Sequence, residues 1–585
     1  MARRRPPDQT MYGDRSSGAS EEEGVRLRGR KNDKDDDDGL ADLHSVETPR
    51  WRTAEFLVYY CFFIIIVPMM VKCAVELSLW NTPQYPRYEK LLSKGWIFGL
   101  KIDNSDHQYA SFRNNILHLA GACAAHLALS TVVRRLPFPK HLDAPGPRSP
   151  RVVFNVAFSA VFLWVLYGTN CIRVYAELVA NYAIARTCRA SRRNPILTWA
   201  LNLFLLYGNE RWGAAPWATV SDSLAFLDNN RGMMPRWFIT FNITQLRMIS
   251  FNVDLFWSTQ QSVHSLEETH LRTCRTCNLP RGIMCDRFRT EHPADPRDYN
   301  FVNYIAYTIY APLFQAGPIS SFNSWMSQIR SPPQLPLKST VLYGVRFVGC
   351  YLLMELLLHT IYVQALSREK AWGGLSPFQM AMVGYWGLKY VWLKLLIIWR
   401  FFRLWALLDG VDTVENMHRC MSNNYSAQGF WRGWHRSYNR WLVRYLYVPL
   451  GGTSARYIGM PLVFAFVAFW HDRTMQLLAW SWLIVVFLVP EGVATWVFRD
   501  KKWRSQWWFR HLCACGGVIN ILMMMAANLV GFAVGVDGAR EMVEKIFSGE
   551  GAVFLVVTFA SLFAAVQVMF EIRNSEARRD NGTRY

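Results

Sequence analysis

Two histidines stand in an apolar and aromatic setting where an imidazole can do chemistry. His435 lies inside Phe430–Gly452, FWRGWHRSYNRWLVRYLYVPLGG. His471 follows the apolar run PLVFAFVAFW (461–470) and precedes Asp472-Arg473. Only 36 positions separate the two, so a chain that turns once can bring them face to face. One neutral ring can remove a hydroxyl proton as the oxygen attacks a thioester carbonyl, and the second ring or other donors can hold the developing oxyanion. No G-x-S-x-G elbow is present, nor a G-x-x-x-x-G-K-[ST] phosphate loop. Direct acyl transfer without a covalent enzyme intermediate is therefore the simplest reaction these residues support. A lone histidine at the end of an apolar run is also a common structural residue, and that alternative stays open on spacing alone.

The surrounding stretch reads as one helix. Arg432, Arg436, Arg440 and Arg444 recur every four residues and would form a slowly turning basic stripe. Trp434, Tyr438, Trp441 and Tyr445 gather on another face, with His435 at the seam. Pro449 and Gly451-Gly452 stop the helix. Arg432 and Arg436 with Trp434 and Tyr438 suit a site at a membrane surface, where anionic head groups meet acyl chains. Glu415, Asn416 and Asn439 are candidates for orienting the histidines. The competing reading is a juxtamembrane helix with aromatics in the interfacial belt and arginines snorkelling to head groups.

The rest of the chain must hold these residues in a membrane. Of 585 residues, 51% are hydrophobic and 15% aromatic, and the net charge is +20. Lys and Arg mostly flank apolar runs, which fits anionic lipid and not nucleic acid. Twelve cysteines are scattered, several within apolar runs, so they form no disulfide framework. Residues 1–50 are charged and low in aromatics, an expected disordered tail, and 572–585 form a charged C-terminal tail. No signal-peptide core precedes the first span, about 56–79, which must itself direct insertion. Further apolar segments follow from 112–133 to 552–571, about 11 membrane segments in all. The pieces at 171–187 and 195–208 read as re-entrant or buried, and 80–111 as a loop. The helix expected at 236–257 carries Asn242, Gln245, Arg247, Asn252 and Asp254, which are too costly to face lipid. It should face protein or a wet cavity and line the reaction chamber. The expected architecture is one all-α polytopic domain over 51–571.

Cys274, Cys277, Cys285 and His292 form C-x2-C-x7-C-x6-H. A zinc site is one reading. The irregular spacing and the arginines at 275, 281, 287 and 289 favour a plain loop, so no metal is expected there.

The motifs then point to a family. GFWRGWHRSYNRWLVRYLYVPLGG (429–452) and Trp470-His471 resemble the membrane-bound O-acyltransferases, most closely their Gup, or glycerol uptake, branch, which is related to the Hedgehog acyltransferases. LRMISFNVD (246–254), YAPLFQAGPISSFNSW (310–325), WLKLLIIWRFFRLWALLDG (392–410) and ENMHRCMSNNYSAQGFW (415–431) carry the same resemblance. It covers about 236–480, the motif core, and VENM at 414–417 departs from the branch's proline-containing form. The resemblance implies a multi-helix bundle with a central reaction tunnel and His471 as the core catalytic histidine. His435 would take the second, more variable polar position, where the Hedgehog branch has an acid. It implies acyl-CoA as co-substrate, no tightly bound cofactor, and a lysophospholipid or lyso-GPI acceptor in the endoplasmic reticulum membrane, with GPI-anchor lipid remodelling as the process. The alternative is a glycerol transporter or proton symporter, or a regulator of glycerol uptake. Transporters commonly show inverted repeats, and none is apparent here.

Overall fold

The computed structural model describes residues 48–136, 149–260, 267–268, 270–272, 274, 277, 284–471 and 474–582. The N-terminal tail but for its last three residues, the neighbours Asp472 and Arg473, and the last three residues lie outside the described residues. The chain divides into two units, 51–570 and the pair of segments Met1–Arg50 and Glu571–Tyr585. In the smaller unit the Arg50 N–H and the Arg578 guanidinium both donate to the Glu571 carboxylate, at 3.3 and 2.5 Å.

The long helices are α1 (Ala54–Glu76), α2 (Ile116–Arg135), α3 (Pro150–Tyr167), α4 (Cys171–Cys188), α5 (Arg193–Trp212), α6 (Trp237–Ser258), α7 (Leu337–Thr360), α8 (Pro377–Leu408), α9 (Arg456–His471), α10 (Met475–Val497), α11 (Phe509–Asn528) and α12 (Gly549–Gly582). Among the described residues, eight helical stretches are long and apolar enough to cross a membrane: α1, α2, α3 continued through α4, α7, α9, α10, α11 and α12, with short extensions at some ends. Their outer faces are aliphatic, as at Ile64 and Ile65 of α1 and Val486 and Val489 of α10, the composition a bilayer selects. The helices α5, α6 and α8 are not among these stretches. Most of α6 and α8 is buried inside the bundle.

Local signals set several boundaries. Ser376 and Gln379 form a reciprocal capping box at the start of α8, with Pro377 at its first position. Gly168, at φ +55°, separates α3 from α4, and a Cβ there would fall 2.2 Å from the Asn230 carbonyl oxygen. Two expectations are corrected. The stretch 80–111 is not a plain loop: it holds an antiparallel hairpin, β1 (Leu92–Lys94) paired with β2 (Lys101–Asp103), and starts a helix at His107. The segments at 171–187 and 195–208 form the helices α4 and α5, each with a buried face that includes Asn181 of α4 and Asn194, Thr198 and Asn202 of α5. One of the further apolar segments, about 300–317, is no single span but two short helices, Phe301–Thr308 and Ala311–Phe314, the second with Pro312 in its first turn.

Polar residues tie the inner helices together. Asn181 of α4, Thr198 and Asn202 of α5, and Asn252 of α6 form one buried network. Asn181 Nδ2 donates to Asn252 Oδ1 at 3.1 Å, Asn202 Nδ2 to Asn181 Oδ1 at 3.0 Å, and Asn252 Nδ2 to Thr198 Oγ1 at 2.8 Å. Arg247 is buried and donates to the carbonyls of Thr308 and Leu313. The polar helix thus faces protein, as its composition requires.

Candidate active site

The stretch around His435 is not one helix. Ala427–Gly433 is helical, capped by Ser426, whose Oγ accepts from the Gly429 N–H at 2.9 Å. Glu491 of α10 accepts from the N–H groups of Ala427 and Gln428 at 2.9 and 3.2 Å, a favourable place for an anion. Trp434 is extended, His435 is left-handed at φ 41°, and a second helix runs from Arg436 to Leu442. A π-helical turn, Val443–Tyr447, follows. Asn416 holds the break together. Its carbonyl accepts from the Arg436 N–H at 3.1 Å, and its Oδ1 from the Ser437 N–H at 3.0 Å. The Ser437 hydroxyl accepts from the Ile319 N–H at 2.9 Å, fixing the Gln315–Ser320 loop to the same turn. Gly317 permits that loop, since a Cβ there would lie 2.5 Å from Leu313 Cα.

The break and the π turn reset the angular register, so the basic stripe does not form. Arg432 is exposed and Arg436 half-buried. Arg440 pairs with Asp286. Arg444 turns inward to Asp254 at 3.0 Å and lies 4.8 Å from the Trp257 ring. The aromatic face survives from Tyr438 onward, with Trp441 and Tyr445 following it in contact. Trp434 instead stacks on Phe430 at 5.4 Å. Glu415 does not orient a histidine; it pairs with Arg400 and Arg403 at 3.5 and 3.7 Å.

His435 and His471 meet the same aromatic wall. The buried His435 ring stacks on Trp399 of α8 with centroids 4.3 Å apart, and lies 5.2 Å from Tyr438. Tyr438 lies 6.3 Å from His471 and stacks on Trp470 at 4.6 Å. His471, at the end of α9, packs edge-on to Trp470 at 4.9 Å and keeps an accessible face. Asn242 of α6 fixes the end of α9 reciprocally: its Nδ2 donates to the Trp470 carbonyl at 3.3 Å, and Trp470 Nε1 donates to the Asn242 carbonyl at 3.1 Å. The polar residue in an apolar helix was the sequence signal for this latch. Trp399 and Ser437 carried no signal. Asn439 contributes its backbone N–H to the His435 carbonyl at 3.0 Å.

The buried Tyr438 hydroxyl and Asn416 Nδ2 have no hydrogen-bond partner among the described residues. Tyr438 stands between the two imidazoles, where a reacting carbonyl can take its proton donor. The Tyr438 ring thus lies 5.2 Å from one imidazole and 6.3 Å from the other.

The fold and these residues define a multi-pass helical membrane protein with a histidine-centred site. Residues 225–536 match the model of the membrane-bound O-acyltransferase family. The chain is 44% identical over 536 residues to membrane-bound O-acyltransferase GUP1 of Candida tropicalis, covering 91% of this chain and 89% of that protein. It is 42% identical over 535 residues to GUP1 of Saccharomyces cerevisiae, covering 90% and 92%. A more distant relative is the mouse protein-cysteine N-palmitoyltransferase HHAT, 25% identical over 328 residues, 54% of this chain and 59% of that protein. The chain belongs to the membrane-bound O-acyltransferase family.

Proposed function

We propose that this enzyme moves a fatty acyl group from acyl-CoA to a free hydroxyl of a lysophospholipid or a lyso-GPI anchor, in the endoplasmic reticulum membrane. The observation that carries the reading is the shared wall of Tyr438 and Trp470, against which both His435 and His471 pack. His471, with its accessible face, takes the proton of the acceptor hydroxyl as that oxygen attacks the thioester carbon. Tyr438 Oη donates to the oxyanion. The tetrahedral intermediate collapses, the carbon–sulfur bond breaks, and coenzyme A leaves as the thiol, taking from His471 the proton that came from the acceptor. His435 is held in place by Asn416 and Trp399 and completes the site as the second ring. Arg436, half-buried beside the turn, is the cation for a phosphate of the donor or acceptor.

The test uses microsomes carrying wild type, His471→Ala or His435→Ala at matched levels, with labelled acyl-CoA and lysophosphatidylinositol or a lyso-anchor. Label should enter lipid with wild type and fall to background with His471→Ala. Equal labelling by all three removes the catalytic assignment. Background labelling throughout, with glycerol flux by the purified protein in liposomes, would replace the enzyme reading with a transport one.

A further inference from the structure

We propose that His270, Cys274, Cys277 and Cys285 form a structural zinc site. The ligand atoms of all four lie within 4.8 Å of one another. His270 Nε2 is 3.4 Å from Cys277 Sγ and 3.5 Å from Cys285 Sγ, and the sulfurs of Cys274 and Cys285 are 4.0 Å apart. A tetrahedral ion with bonds of about 2.3 Å to sulfur and about 2.05 Å to nitrogen sets edges of about 3.8 Å between sulfurs and about 3.6 Å between sulfur and nitrogen. These three distances lie close to those edges, and all four ligand atoms stay within 4.8 Å of one another.

The backbone around them suits thiolates. The Cys285 N–H donates to Cys277 Sγ at 3.2 Å, and the Phe288 N–H to Cys285 Sγ at 3.3 Å. The Cys274 N–H bonds the His270 carbonyl at 2.8 Å, which places these two ligands one helical turn apart. Phe288 buttresses the His270 ring at 5.1 Å. A disulfide explains less. Cys274 and Cys285 sulfurs at 4.0 Å stand well beyond the S–S bond of about 2.05 Å, and a bridge would leave His270 and Cys277 converging on nothing. The fourth ligand is His270 and not His292. The His292 ring stacks on Phe288 at 4.8 Å with its Nδ1 3.1 Å from the Pro293 carbonyl. Of the arginines that weigh against a metal in the sequence, Arg287 pairs with Glu291 at 3.1 Å and Arg289 with Asp412 at 3.2 Å.

The site would brace the reaction segment. Cys285 is followed by Asp286, which pairs with Arg440, one turn after His435 and Arg436. Arg289, with Asp286 in the short helix Asp286–Glu291, pairs with Asp412 at 3.2 Å, and Asp412 also accepts from Arg403 of α8 at 3.3 Å. Fixing residues 284–291 with a metal thus fixes an ion pair on the helix that carries Tyr438.

The experiment measures metal in the full-length protein, purified in detergent through a tag without histidines and without chelator. Wild type and His292→Ala should hold about one zinc per chain. Cys277→Ser, Cys285→Ser and His270→Ala should lose most of it. Cobalt(II) exchanged into wild type should give thiolate-to-metal charge-transfer bands and the visible spectrum of a tetrahedral ion. Should the cysteine variants fail to accumulate, wild type decides alone. Zinc released by chelation together with newly titratable thiols supports the site. Wild type free of metal, a Cys274–Cys285 disulfide, another metal at one per chain, or zinc undiminished in Cys277→Ser overturns it.

Discussion

Tyr438 offers the sharpest separation of chemistry from stability in this molecule. Its hydroxyl is buried and has no partner among the described residues. A buried polar group left unsatisfied costs about 1–3 kcal/mol, so Tyr438→Phe should leave the thermal stability of the resting protein unchanged or raised. Losing an oxyanion donor costs about 10²–10³ in kcat. Stability in detergent and labelled-acyl transfer, measured on one preparation, give the two numbers. A kcat within twofold of wild type would remove Tyr438 from the reaction. His435 needs a different pair of variants, because its φ of 41° makes alanine a backbone change as well. A left-handed residue costs about 1–2 kcal/mol for most side chains, whereas Asn visits that region readily. His435→Asn should accumulate like wild type and still lose activity, and His435→Ala should lose both. Full activity in the Asn variant would show that the turn matters and the ring does not. Both histidines were legible from sequence, since an isolated imidazole beside apolar runs is conspicuous. The left-handed turn was not. Arginines four apart predict a continuous helix, and the Asn416 clamp that breaks it comes from 19 residues upstream of His435.

The elements that hold the site are legible to different depths. Hydropathy alone locates α1, α7, α10 and α12, because a bilayer demands long apolar runs. The burial of α6 was also legible, since Arg247 and Asp254 cannot face lipid. Their partners were not, because a carboxylate at 254 does not announce a guanidinium at 444. The Asp254–Arg444 pair links α6 to the π turn after Tyr438, with the Asp254 side chain fully buried and Arg444 19% exposed. Tyr445 also donates to that carboxylate at 3.0 Å. Asp254→Asn keeps the shape and leaves Arg444 without its counter-charge, at a cost of about 3–5 kcal/mol. The surface pair Arg540–Glu544, at 3.0 Å, is the control, and Glu544→Gln should cost about 0–1 kcal/mol. Time to inactivation in detergent at a fixed raised temperature reads both. Equal lifetimes would mean that the buried pair does not hold the turn against α6.

Across the whole molecule, charge is placed where helices must stop sliding. Asp409, at the C-terminal end of α8 and 1% exposed, is the clearest case. It accepts from Ser130 at 2.8 Å and pairs with Arg134, both on α2, and accepts from Tyr310 at 2.5 Å. Arg151 of α3 donates to its carbonyl at 2.7 Å and lies 3.7 Å from its carboxylate. Tyr310 leads into the loop that reaches Ser437, so this corner and the histidine wall share one connecting segment. Composition assigned the membrane class from apolar content and flanking arginines, but a single Asp after LWALL gives no hint that three helices and a loop converge on it. Asp409→Leu strands Arg151, which is only 10% exposed, and should shorten the detergent half-life severely. Arg134, at 39% exposure, can turn to water and contributes less. Adding Arg151→Met to Asp409→Leu removes the stranded charge and should recover part of the loss, with a coupling of about 0.5–3 kcal/mol in the double-mutant cycle. The same cycle with Arg134→Met should show weaker coupling, because its charge is already partly solvated. Additive effects in the Arg151 cycle would mean that Asp409 acts through Ser130 and Tyr310 alone, as a hydrogen-bond acceptor and not as a charge.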